Sequence, residues 1–63
     1  MNLMQMEELA ILEINTGEVH IYTITYDTDV VDFIKSEGFD PECCFWTVNE
    51  LIKVIKHNAI HTY

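Results

Sequence analysis

Leu9-Ala10-Ile11-Leu12-Glu13-Ile14, then Asn15-Thr16-Gly17, then Val19-His20-Ile21-Tyr22-Thr23-Ile24-Thr25-Tyr26: this stretch decides the fold. Both flanking runs are rich in β-branched and aromatic residues and the break between them contains a glycine, which is the pattern of a β-hairpin. Thr16 would sit badly at positive φ. A three-residue loop with Gly17 in the left-handed position is therefore expected rather than a two-residue type I′ turn.

Side chains alternate along a strand, and a slip of one residue exchanges the faces. In the second strand one face carries Val19, Ile21, Thr23 and Thr25 and the other His20, Tyr22, Ile24 and Tyr26. The first strand offers Leu9 and Ile11 on one side and Ala10, Leu12 and Ile14 on the other, and the pattern leaves the register open by one residue. Both faces are substantially apolar. A sheet with one wet face alternates more cleanly, so something is expected to cover the second face, either a second helix or another copy of the protein.

Beyond the hairpin, Asp27, Thr28 and Asp29 are all competent N-caps, and Val30, Val31, Phe33 and Ile34 form an apolar stripe at helical spacing. Gly38 ends this helix. With Gly38 just past the end, Phe39 falls where it can make the hydrophobic contact of a Schellman cap to Ile34 and Phe33. Asp40, Pro41 and Glu42 read as a turn, and Cys43 to Val48 as a third strand that returns to the hairpin.

The last element is ambiguous by composition. Val48, Leu51, Ile52, Val54 and Ile55 share half of a helical wheel, Thr47 to Glu50 fits a capping box, and Lys56 and His57 suit a helix C-terminus before Asn58. The β-branched Ile52, Val54 and Ile55 would also suit a fourth strand. The expected architecture is α+β: one domain over 1–63, a small antiparallel sheet with an N-terminal β-hairpin, order ββαβα, with ββαββ as the alternative. Met1 to Met6 reads as a frayed leader.

Charge bounds the partners. The chain has 63 residues, 49% hydrophobic, with 11 acidic residues against 3 lysines and a net charge of -8. All the acids and Lys35 fall before residue 51, and Lys53 and Lys56 after it. Nucleic acid and anionic membrane are bound through clusters of Lys and Arg, so neither is expected as a direct partner. No apolar run approaches the roughly 20 residues that span a bilayer, and Met1 to Met6 has neither a basic n-region nor an apolar h-region, so no targeting segment is expected. The adjacent Cys43 and Cys44 cannot close a useful loop and do not make a secreted disulfide framework, so a cytoplasmic protein is expected.

Gly17-Glu18-Val19-His20-Ile21-Tyr22, followed by Val31-Asp32-Phe33-Ile34, Gly38-Phe39 and Trp46, resembles small uncharacterised bacterial proteins of the gut Bacteroides type. The resemblance spans roughly residues 8 to 48. It implies a bacterial, cytosolic protein and carries no activity with it.

The residues capable of chemistry are few. Cys43, Cys44, His20, His57 and His61 are possible zinc ligands, but adjacent cysteines do not easily reach one ion and only His57 and His61 have ligand-like spacing. No metal, cofactor or catalytic residue is expected. The thiols are expected to divide, one buried as a small hydrophobe and the other pointing away. Nucleophilic catalysis by Cys44 with His20 or His57 would need a pocket and an oxyanion donor, and a domain this small has little room for a ligand cleft. No small-molecule substrate is expected and the chain is read as non-enzymatic.

Two surfaces remain. The acidic group Asp27, Asp29, Asp32, Glu37, Asp40 and Glu42 lacks the order of a calcium loop and reads as solvated, helix-capping charge. It also raises mimicry of nucleic acid, an inhibitor of a basic DNA- or RNA-binding protein. A globule of this length spans roughly 27 Å, and duplex of that length carries about 16 phosphates, more than the 11 acids available. The second surface is an aromatic patch of His20, Tyr22, Tyr26 and Trp46, expected to meet a partner. A small acidic interaction or regulatory module, forming a homodimer or docking a protein partner, is the reading that follows.

Overall fold

The computed structural model describes residues 5–58. β1 (Met6–Glu13) and β2 (Val19–Thr25) form the hairpin, α1 (Val30–Ser36) follows, and a 3-10 turn at Pro41–Cys43 leads into β3 (Cys44–Asn49). The sheet is antiparallel in the order β2-β1-β3, so the first strand is the central one. The α+β class and its opening ββαβ order are those read from the sequence.

The hairpin register is Leu12 opposite Val19, Leu9 opposite Tyr22 and Ile11 opposite His20. Gly17 takes the left-handed conformation, φ +73°, as expected. The loop is longer than three residues because Gly17 N–H donates to Glu13 O (2.8 Å) while Glu13 N–H donates to Glu18 O (2.8 Å). Ile14 therefore joins the loop, and its own N–H goes to Cys43 O on the β3 side (3.0 Å). The expected leader is outside the described residues for 1–4. Of the rest of that segment, Met6 opens β1, and Gln5 just before it accepts from Tyr26 N–H through its O (3.1 Å).

Helix α1 is bounded by chemistry visible in the sequence. The Asp29 carboxylate accepts from Asp32 N–H (3.2 Å) as the N-cap. At the other end Phe39 N–H donates to Ile34 O (3.1 Å) and Gly38 N–H to Lys35 O (3.0 Å), the two bonds of a Schellman motif, with Gly38 at φ +91°. The motif turns the chain back over the sheet and sets Phe39 against His20.

One strand and one helix make the core. Leu9 and Ile11 from β1 and Ile34 from α1 are fully buried, and Ile24 and Cys44 close around them. Tyr22, Val30, Phe33, Phe39 and Val48 pack at the margin. α1 connects one edge strand to the other and covers the face that carries these residues.

The final helix is a correction. β3 runs through Thr47, Val48 and Asn49, which pair with Ala10, Leu9 and Glu8, so the intended cap and first helical positions are held in the ladder. Glu50 N–H is taken by Asn49 Oδ1 (3.2 Å) and Ile52 N–H by the Glu8 carboxylate (2.7 Å). Among the described residues, 52–58 form neither the helix nor the alternative fourth strand.

Two stability outcomes follow. A domain of this size rarely exceeds about 3 to 5 kcal/mol and a buried Leu-to-Ala change costs about 2 to 5 kcal/mol, so Leu9→Ala is expected to be largely unfolded at 25 °C by circular dichroism. At Gly38 an added Cβ would meet nothing within 4 Å, so only backbone conformation is at stake. Gly38→Ala should lose about 1 to 2 kcal/mol in urea denaturation, with Gly38→Asn recovering part of it.

Candidate functional site

The sheet has two unlike faces. On the face beneath α1, β1 supplies Leu9 and Ile11, β2 supplies His20, Tyr22 and Ile24, and β3 supplies Cys44, Trp46 and Val48. The opposite face carries Ala10 and Leu12 from β1, Val19, Ile21 and Thr23 from β2, and Phe45 and Thr47 from β3. No described element lies over it. Leu12 sits between Val19 and Phe45, and Ala10 between Ile21 and Thr47, so the rows form a continuous apolar strip. Exposures of 37% for Leu12, 56% for Val19, 44% for Ile21 and 66% for Phe45 leave about half of these side chains to solvent.

The small side chain of Ala10 hollows the strip. A shallow cavity of about 200 Å³ runs along Ala10, Leu12, Val19, Phe45, Trp46 and Thr47. Glu8, opposite Thr23 and Asn49, is the one charged residue among the paired positions on this face, and it is engaged with Ile52 at the far end. In a chain of net charge -8, this is the neutral surface.

The four expected contact residues separate. His20, Ile11 and Trp46 form one row across the sheet, and Tyr22 lies in the next, all on the helix side. Tyr22 meets Phe33 edge-on (centroids 5.2 Å, 79°) and Phe39 at 6.4 Å, and His20 lies 5.0 Å from Phe39. These are packing contacts of the covered face. Burial, then the neighbouring Glu37 charge, pushes the Tyr22 hydroxyl above its ordinary titration range. Trp46 is partly exposed. Tyr26 lies past the other end of β2, beside a hollow of about 310 Å³ lined also by Gln5, Met6, Glu7 and Glu50. Leu12, Val19 and Ile21, whose face the sequence reading left open with the hairpin register, hold the open face together with Phe45, which it did not single out. The two-residue period of the strands is the signal for them once the register is known.

The acidic group divides by role. Asp29 caps α1, and Asp40 caps the 3-10 turn by accepting from Glu42 N–H (3.0 Å) and from Cys43 Sγ (3.6 Å). Asp27, Asp32, Glu37 and Glu42 are exposed around the same helix and turn. The capping expected of this cluster is present.

Cys44 is buried and Cys43 is partly exposed in the preceding turn, and both are free thiols. The Asp40 charge and hydrogen bond, then burial and the charges of Cys44 and Glu42, hold the Cys43 thiol above its ordinary value. Burial, then the charges of Glu13 and Asp40, does the same for Cys44. Protonated thiols are poor nucleophiles and poor ligands. The cysteines and histidines weighed as possible zinc ligands and set aside are not among the close groups: the only trio of ligand atoms close together among the described residues is Glu13, Glu18 and His20, within 4.8 Å of one another. His61 lies outside the described residues. The spacing Glu-x-His on one strand face, with Glu13 across the turn, was the available signal for the trio.

Against family models, curated proteins and solved structures, the chain matches none. No helix among the described residues is long and apolar enough to cross a membrane.

The thiols give a pH test. Iodoacetamide at pH 8 should modify native Cys43 and Cys44 more slowly than the same thiols in urea. Because folding raises both values, their contribution to stability is full below the ordinary 9.0 and declines as pH rises through the raised folded values. Rapid native alkylation would contradict this.

Proposed function

We propose that the chain is a small acidic interaction module that pairs with a second copy of itself through the open face of its sheet. The observation that supports this is the coincidence of exposed apolar area with absent charge: Leu12, Val19, Ile21 and Phe45 form the strip, and Glu8 at one end is the nearest charged residue among the positions paired on that face. Elsewhere, two copies at -8 would bring like charges together. On this face a two-fold pair sets each strip against its equivalent, as two sheets stack in a sandwich about 10 Å apart.

Area limits the affinity. Three strands about 4.8 Å apart and some six residues long at about 3.3 Å each give a patch of roughly 14 by 20 Å, well below the roughly 800 Å² per partner of a standard interface. The dimer is therefore weak and forms at high concentration. A reducing, cytoplasmic setting suits the free thiols. The proposed module is non-enzymatic.

Sedimentation or light scattering across about 1 µM to 1 mM should show the mass rising from 7.4 kDa toward twice that value. Ile21→Lys, an exposed position, should hold the fold by circular dichroism and stay at the lower mass. Added salt screens the like charges and strengthens this pairing, whereas docking of an acidic mimic onto a basic protein weakens with salt. A single 7.4 kDa species at every concentration, or an Ile21→Lys protein that pairs unchanged, would remove the proposal.

A further inference from the structure

The turn after β1 brings three ligand-type side chains to one corner of the covered face. Glu13 closes the hairpin through both its backbone groups, Glu18 follows Gly17 of the turn, and His20 stands two residues on, opposite Ile11. His20 Nε2 then lies 3.6 Å from Glu13 Oε1 and 3.7 Å from Glu18 Oε1. This nitrogen is sealed from solvent and has no hydrogen-bond partner among the described residues. Phe39 lies against the ring and restricts its turning.

Both separations are too long for an N–H···O hydrogen bond, which runs about 2.7 to 3.2 Å. They match a different arrangement. Two ligands each about 2.0 to 2.2 Å from one ion, at tetrahedral to trigonal angles, stand about 3.3 to 3.8 Å apart, and all three ligand atoms lie within 4.8 Å of one another. One imidazole nitrogen and two carboxylates supply two negative charges to a divalent ion. The imidazole selects borderline metals over calcium and magnesium, which prefer oxygen alone.

We propose that Glu13, Glu18 and His20 bind one divalent cation of the zinc class, with the fourth coordination position left to water. The ion clamps the β1–β2 turn. Metal bound only by the folded chain adds its binding free energy to a core of three fully buried side chains, the kind of support that so short a domain lacks.

The test uses the full chain, with zinc chloride and cobalt chloride as probes, by calorimetry and thermal melting. One ion per chain and a higher melting temperature are expected. The cobalt form should lack the near-ultraviolet sulfur-to-metal absorption that a thiolate site would show. Glu13→Gln with Glu18→Gln leaves shape nearly unchanged and should weaken binding about a hundredfold or more, the upper range for disturbing even an outer-shell partner. His20→Asn should do the same, with circular dichroism reporting whether each variant is folded. No heat and no melting shift at millimolar zinc would overturn the proposal, as would thiolate absorption or binding that survives the double Gln variant. The site is on the covered side of the sheet, so either result leaves the self-pairing reading to its own experiment.

Discussion

Everything in this molecule depends on the central position of β1. Leu9 and Ile11 have a strand on each side, β2 through Tyr22 and His20 and β3 through Val48 and Trp46, and Ile34 above them. No other position in the sheet can exclude water from three directions. The chain has a single described helix to lay over the sheet, so one face gains a core and the other does not. The asymmetry is a matter of supply: with apolar residues on both faces and one cover, a strip of Leu12, Val19, Ile21 and Phe45 is left outside.

The covered face also accounts for the chemistry. Because the β1–β2 turn pairs Glu13 with Glu18 at its base, the first residues beyond the core row are Glu13 and Glu18, and they converge on His20. The turn that sets the register therefore also sets the spacing of the only ligand-type trio among the described residues. Cys43 and Cys44 stand at the neighbouring end of β3, where Asp40, Glu13 and burial keep both thiols protonated. Nitrogen and oxygen, not sulfur, are the available donors at this end of the sheet.

The sequence made the hairpin, the capped helix and the third strand legible because each is marked by local chemistry. Gly17 supplies the positive φ of the turn, Asp29 its carboxylate to the first helical turn, and Gly38 with Phe39 the Schellman stop. The segment after Thr47 was not legible in the same way. Its helical periodicity and capping box are real in composition. They lose to the ladder because Thr47, Val48 and Asn49 pair with a distant strand, and a local pattern holds no record of that partner.

By itself, then, the sequence determined the α+β class, the two caps of α1, the glycine of the hairpin turn, the acidic exterior and the fact that both sheet faces are greasy. Only the tertiary structure decided which face α1 covers, that His20 and Tyr22 lie half-buried on the covered side and Leu12, Ile21 and Phe45 on the open one, and that His20 meets Glu13 and Glu18. The reason is the two-residue period of a strand. It sorts side chains into two sets locally, but which set faces the core is settled only when strands far apart in sequence pair in one register.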